Sequence, residues 1–125
     1  MLSNNPRLIL FTITVCLLIF AIFTSTTPVP QDLVYHLLSD QRQCFTVPNF
    51  ANIISNLPFA TIGLSGVFLT LKNKEIPISW YLFFIGLFLV APGSSYYHLQ
   101  PNNQTLVWDR LPMTICFMSL FSALC

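Results

Sequence analysis

Two short segments decide the fold and the chemistry of this chain: PGSSYYHL at residues 92–99 and LVWDRLPM at residues 106–113. The short polar stretch that joins them is typical of a turn between two helices. Ser94 and His98 are four residues apart and therefore share one face of the first helix. Because a short connection makes neighbouring helices antiparallel, it returns Asp109 to about the depth of His98. The sequence therefore predicts that a hydroxyl, an imidazole and a carboxylate converge in apolar surroundings.

The composition of the chain indicates an integral membrane protein. Of its 125 residues 54% are hydrophobic and only 7% are charged, and the mean hydropathy is +0.70. A soluble domain carries about a quarter of its residues as charges. The net charge of +1 argues against a nucleic-acid partner. The four cysteines have no C-x-x-C spacing and three lie in apolar runs, which predicts buried free thiols.

The apolar runs predict an all-α, multi-pass transmembrane bundle with about four spans. We expect spans at residues 8–23, 50–71 and 78–97, and a fourth that begins at Leu106. A cleaved signal peptide is the alternative for the first run. The fourth run is still apolar at residue 125, so we expect a truncated span in the amino-terminal part of a longer membrane protein.

The segments between the spans carry further polar groups. Residues 32–38 have apolar side chains at near-helical spacing, which is typical of a short helix in the membrane interface, with His36 at the interface or in solvent. A polar stripe in the second span predicts hydrogen bonds between helices or support of a nearby site. The stripe consists of Asn52, Ser55 and Asn56. Pro58 follows the stripe and predicts a kink.

The residues of the hairpin fit two chemistries and one structural role. Ser94, His98 and Asp109 could form a nucleophilic triad, although the sequence around Ser94 is not that of a nucleophile elbow. Alternatively, His98 binds a metal, Asp109 acts on a bound water and Ser94 donates to an oxyanion. In the structural role, Trp108 anchors the helix, Asp109 complements the helix dipole and Arg110 reaches the lipid headgroups.

The motifs of this chain resemble those of the alkaline ceramidase family, part of a wider superfamily of seven-helix membrane hydrolases. The similar segments are DQR at 40–42, PNFANIISNLPF at 48–59, GSSYYHL at 93–99 and WDRLPMT at 108–114. The resemblance extends from residue 40 to about residue 118. It implies that residues 40–125 are the amino-terminal part of a seven-helix domain. Residues 1–39 would then be an extra amino-terminal helix and an interfacial link.

The resemblance implies a zinc amidase that cleaves the N-acyl bond of ceramide within the membrane. On this view His98 is a zinc ligand, and Ser94 and Asp109 lie beside the metal as catalytic residues. The family takes its other two histidines from a His-x-x-x-His pair on the last helix, which this sequence lacks. We therefore expect the 125-residue chain to be inactive by itself.

The resemblance also bears on calcium, which some members of the family bind through an acidic segment before the core. Asp40 matches the start of that segment, but Arg42 and Asn49 stand where acidic residues are expected. The sequence therefore argues against a calcium site here.

Two other classes of function compete with the zinc amidase. The first is a non-catalytic, receptor-like or scaffolding helix bundle that keeps the hairpin for packing. The second is a metal-free hydrolase that uses Ser94 as its nucleophile.

Overall fold

The computed structural model describes residues 6–27 and 29–125. The regular structure in these residues is helical, which confirms the predicted all-α class. The helices are α1 (Pro6–Ser25), α2 (Phe50–Ile54), α3 (Leu57–Lys72), α4 (Ile78–Leu99) and α5 (Asn103–Leu124), with a short 3-10 helix at Leu33–His36. In the described part of the chain the β contacts are limited to an isolated bridge between Cys44 and Val47.

The described chain divides into two compact units between Pro30 and Gln31. The first unit contains α1, an apolar helix with exposed side chains. Its threonines bond to their own helix, as where the hydroxyl of Thr14 donates to the carbonyl oxygen of Leu10 at 2.9 Å. Such internal bonds satisfy the hydroxyls in surroundings that lack water.

In the second unit α4 lies between α3 and α5, and glycines allow these helices to come close. A Cβ at Gly63 of α3 would collide with the backbone of Phe88 on α4. A Cβ at Gly93 of α4 would collide with the carbonyl oxygen of Trp108 on α5. Small residues at these positions therefore let backbone pack directly on backbone, as is common between helices in membranes.

The register of the α4–α5 hairpin differs from our expectation. Gly93 lies against Trp108, and a Cβ at Gly86 would lie 3.1 Å from the backbone nitrogen of Cys116. In this antiparallel register Asp109 is level with Gly93 and Ser94 rather than with His98. The backbone at Asp109 therefore lies more than one helical turn deeper than the sequence suggested.

Helix α5 begins three residues earlier than predicted because its first turn is capped. The side chain of Asn102 accepts hydrogen bonds from the backbone nitrogens of Gln104 (2.9 Å) and Thr105 (3.0 Å). The hydroxyl of Thr105 accepts a bond from the backbone nitrogen of Asn102 at 3.2 Å, which completes a capping box. The helix therefore starts at Asn103 instead of Leu106.

The polar stripe holds a break in the helix rather than a contact between helices. The amide of Asn52 donates to the carbonyl oxygen of Asp40 at 2.9 Å. Ser55 and Asn56 both donate to the carbonyl oxygen of Asn52, at 2.7 and 3.1 Å. The chain turns at these two residues, and Pro58 lies in the first turn of α3, where a proline fits well. The kink predicted at Pro58, just after the stripe, is therefore a break at Ser55 and Asn56.

Among the described residues, two stretches are long and apolar enough to cross a membrane, Phe50–Lys72 and Ile78–Leu99. In α1 a shorter apolar stretch, Ile9–Ile22, is found. Helix α5 has 22 residues, but a polar first turn and two adjacent charges lower its hydropathy. The predicted count of about four spans is therefore not confirmed.

Two further predictions concern the segment at residues 32–38 and the cysteines. The expected helix at residues 32–38 is reduced to the 3-10 turn Leu33–His36, whose first turn is capped by Asp32. The four cysteines are free thiols as predicted, although Cys116 alone among them is buried within the described chain.

Candidate active site

The predicted site residues lie on the buried faces of α4 and α5. Ser94 is 4% exposed and Asp109 is 7% exposed. On α5 the buried side chains recur every three or four residues, so Asp109 belongs to one continuous packed stripe. The stripe consists of Thr105, Leu106, Asp109, Pro112, Cys116 and Ser119.

Asp109 points into the bundle while its neighbours along the chain point away. Trp108 is 59% exposed and Arg110 is also exposed. Because α5 begins at Asn103, Asp109 lies in the second turn, where the helix dipole no longer favours a carboxylate much. The dipole role considered for Asp109 from the sequence is therefore weakened, and its burial needs another reason.

Ser94 lies on the covered side of α4. On α4, the contacts with α3 at Phe88 and with α5 at Gly93 point in nearly opposite directions around the helix axis. Ser94 lies between them on the covered side, whereas Tyr96 lies on the other side and is exposed.

His98 is half-buried at the end of α4, and one of its ring nitrogens is available. Its Nδ1 is buried and has no hydrogen-bond partner in the described structure. The same is true of the Oδ1 atom of Asp109. Buried polar atoms normally have partners, and two orphans on facing helices indicate a place for a ligand.

Helix α4 presents no pre-formed nucleophile. Ser94 and His98 share a face, but no hydrogen bond joins their side chains. A serine nucleophile needs a base within hydrogen-bond reach, although this contact is often long before substrate binds. The arrangement therefore gives less support to the metal-free hydrolase than to a role of Ser94 as hydrogen-bond donor.

A metal site can be judged from the same residues. Zinc at a catalytic centre takes three protein ligands and a water molecule. Residues 6–27 and 29–125 contain no group of three or more His, Cys, Asp or Glu side chains placed to hold a metal ion. The orphaned nitrogen of His98 fits one ligand position. The described residues thus fit part of a zinc site and do not complete it.

A hydrogen-bond network beside the site was not predicted from the sequence. Nδ1 of His36 lies 3.0 Å from the hydroxyl of Tyr97, and its Nε2 lies 3.3 Å from Oδ1 of Asn103. His36, which the sequence placed at the interface or in solvent, is thus bonded to both helices of the hairpin. The partners are more than 60 residues apart in sequence, so no local spacing signals the network.

Two further contacts tie the preceding segments to the hairpin. The amide of Asn49 donates to the carbonyl oxygen of His98 at 2.7 Å. The guanidinium of Arg110 donates to the hydroxyl of Tyr35 and lies 5.7 Å from the centre of that ring. Arg110 is therefore held by Tyr35 rather than reaching freely towards headgroups.

The Asp40 carboxylate, which matched the start of the acidic segment, is paired with an arginine. Nε of Arg42 donates to its Oδ1 atom at 2.6 Å. This bond, together with the positive charge, holds the pKa of Asp40 below its usual range. The Oδ2 atom of Asp40 has no hydrogen-bond partner in the described structure, so a cation bound there would lie beside the guanidinium of Arg42.

Comparison with known protein families gives a match for most of this chain. The family model described as Ceramidase matches residues 41–125, about two thirds of the chain, and this range contains Ser94, His98 and Asp109. Neither the curated proteins nor the solved structures include a match. Because the matched range covers most of the chain, the protein belongs to the ceramidase family.

Proposed function

We propose that this chain contributes to zinc-dependent hydrolysis of the amide bond of ceramide-like lipids within a membrane. Its membership of the ceramidase family supports ceramide hydrolysis in general. The observation that carries the proposal is the pair of buried atoms without partners, Nδ1 of His98 and Oδ1 of Asp109. Two long apolar helices supply the surroundings that a lipid substrate requires.

In the proposed reaction the residues of this chain act on a water molecule and on the substrate carbonyl. Asp109 accepts a proton from the water, whose oxygen bonds to the carbonyl carbon. Ser94 donates a hydrogen bond to the developing oxyanion. The C–N bond then breaks, and the amine leaves as the sphingoid base with the proton that Asp109 returns.

His98 would be one of the protein ligands of zinc. When bound, zinc lowers the pKa of water and polarises the carbonyl group. Because the described residues offer one suitable imidazole at this place, the other ligands come from outside residues 1–125. We therefore propose that these residues form the amino-terminal part of the active protein and do not hold zinc tightly alone.

The test compares the 125-residue chain with the complete polypeptide encoded by the gene, each in lipid nanodiscs. Zinc content and release of fatty acid from a ceramide are measured. We expect both from the complete polypeptide only. His98→Ala should abolish the zinc, whereas Ser94→Ala should lower turnover and leave the zinc in place.

Other outcomes separate the competing functions. Hydrolysis that persists with no metal present and depends on Ser94 would support the serine nucleophile. A complete polypeptide that binds neither zinc nor ceramide would support a scaffold. Glu75→Gln, in the exposed turn between α3 and α4, is the matched control and should change neither measurement.

A further inference from the structure

Residues 31–38, called the strap below, precede the range shared with the family, which begins at residue 41. They belong to the same compact unit as the α4–α5 hairpin. Side chains of the strap reach three residues of the hairpin, Tyr97, Asn103 and Arg110. Tyr97 directly precedes His98, and Arg110 directly follows Asp109. The strap therefore holds a neighbour of each of these two predicted site residues.

The orientation of the Asn103 amide follows from its bonds to the strap backbone. The backbone nitrogen of Gln31 donates to Oδ1 of Asn103 at 2.8 Å. Nδ2 of Asn103 donates to the carbonyl oxygen of Gln31 at 3.4 Å. A backbone N–H can only donate and a carbonyl can only accept, so Oδ1 is the acceptor end of the amide.

This orientation determines the tautomer of His36. Because Oδ1 of Asn103 only accepts, Nε2 of His36 must carry the hydrogen across their 3.3 Å contact. In the neutral ring Nδ1 is then an acceptor, and the hydroxyl of Tyr97 donates to it at 3.0 Å. The buried phenol of Tyr97 is thus held by a histidine whose ring is itself oriented by Asn103.

Tyr35 holds the other side of the hairpin. Its hydroxyl accepts from Nη2 of Arg110. Nε of the same arginine remains 3.9 Å from Oδ2 of Asp109, too far for a hydrogen bond. Tyr35 thus keeps the guanidinium from closing onto Asp109, whose Oδ1 atom stays without a partner.

We propose that the strap is a positioning element of the active site. His36 fixes Tyr97 and thereby the end of α4 that carries His98. Tyr35 restrains Arg110 and thereby leaves the Asp109 carboxylate available. This inference rests on the proposed function for its catalytic consequence, whereas the contacts themselves can be tested without activity.

The first test uses the fact that the whole chain contains two histidines. Ring-¹⁵N-histidine labelling in nanodiscs therefore gives two imidazole spectra, and His36→Gln leaves that of His98 alone. At alkaline pH, where an imidazole is neutral, we expect His36 as the Nε2–H tautomer. His36→Ala should shift the His98 signals, and Tyr97→Phe should shift the Nδ1 signal of His36.

Val34→Ala is the matched control, because this strap side chain is 68% exposed and has no polar contact with the hairpin. It should leave both spectra unchanged. Circular dichroism verifies that each variant keeps its helix content. An Nδ1–H tautomer of His36, or unchanged His98 signals in a folded His36→Ala variant, would overturn the proposal.

The second test measures steady-state kinetics with the complete polypeptide. Small misplacements of reacting groups lower turnover strongly, so His36→Ala should reduce kcat about tenfold or more. KM should stay within about twofold of the wild-type value, because the strap is not proposed to bind the substrate. Tyr35→Phe keeps the ring but removes the acceptor of Arg110, and it should also lower kcat.

The two tests distinguish a failure of the strap proposal from a failure of the proposed function. An inactive wild-type polypeptide would refute the function, while the histidine spectra would still decide whether the strap positions His98. An active enzyme whose kcat is unchanged by both His36→Ala and Tyr35→Phe would refute the strap and leave the function standing.

Discussion

At the level of single residues, the burial of Asp109 is the feature that most needs a function. It faces the packed side of α5 with one carboxylate oxygen lacking a partner. Burying such a group has a free-energy cost that ordinary packing does not offset. The unpartnered carboxylate oxygen is consistent with the proposed role in proton transfer.

Asp109→Asn should therefore abolish catalysis while preserving the metal. The amide keeps the size of the side chain but cannot accept a proton from water. We expect turnover of the complete polypeptide to fall about 10²–10⁴-fold, the usual contribution of a general base. Zinc content, measured by atomic absorption, should not change, because Asp109 is proposed to act on the water and not on the metal. Loss of zinc would instead make Asp109 a ligand.

The Asp40–Arg42 pair allows a prediction about pH. The hydrogen bond from Arg42 lowers the pKa of Asp40 in the folded chain. A lowered folded-state pKa gives stability that is present above the unfolded carboxyl value of about 3.9 and is lost as the pH falls through the folded value. Arg42→Gln should raise the pKa of Asp40 in a ¹³C-NMR titration, whereas Lys74→Gln should not.

The same pair predicts the response to calcium. Because the guanidinium of Arg42 occupies Oδ1 of Asp40, added calcium should leave the Asp40 carboxyl resonance unchanged. A calcium-dependent shift of that resonance would show that the ion binds the carboxylate beside Arg42. The acidic segment would then bind calcium despite its basic residue.

At the level of the helices, the contact between α4 and α5 sets the geometry of the site. At Gly93 the backbone of α4 meets the carbonyl oxygen of Trp108, one residue before Asp109. Any larger residue at this position must push the two helices apart. The spacing between the serine and the carboxylate therefore depends on a glycine that carries no chemistry itself.

Gly93→Ala should destabilise the hairpin. Overpacking at a close contact typically costs about 1–3 kcal/mol, and here the obstacle is backbone rather than a flexible side chain. A lower midpoint of thermal unfolding in detergent would show this cost. Ser95→Ala, a neighbouring change on α4 outside the close contact, is the control and should have a much smaller effect. Equal midpoints for the two variants would contradict the observed helix contact.

At the level of the whole molecule, Phe50–Lys72 and Ile78–Leu99 are, among the described residues, the two stretches long and apolar enough to cross a membrane. If both cross it, the turn at residues 73–77 and the turn at residues 100–102 lie on opposite sides. Single cysteines placed at Lys74 and Gln100 should then react with an impermeant thiol reagent from opposite sides of sealed vesicles. The comparison requires a background in which the native cysteines are replaced. Labelling of both positions from the same side would contradict the two-span arrangement.

The amino-acid sequence by itself determined the helical class, the approximate helix ranges and the position of Ser94 and His98 four residues apart on one helix. These features follow from apolar periodicity and from spacings within one helix, which are local properties of the chain. The motif around Ser94, His98 and Asp109 also indicated the ceramidase family, which the family model then matched.

Only the tertiary structure decided the register of the hairpin and the environment of the site. The close approach at Gly93 places the backbone at Asp109 level with Gly93 instead of His98. The capping box at Asn102 sets the first residue of α5. The contacts of His36 with Tyr97 and Asn103 join residues more than 60 positions apart. Such contacts depend on how whole elements pack, and no periodicity within a single segment encodes them.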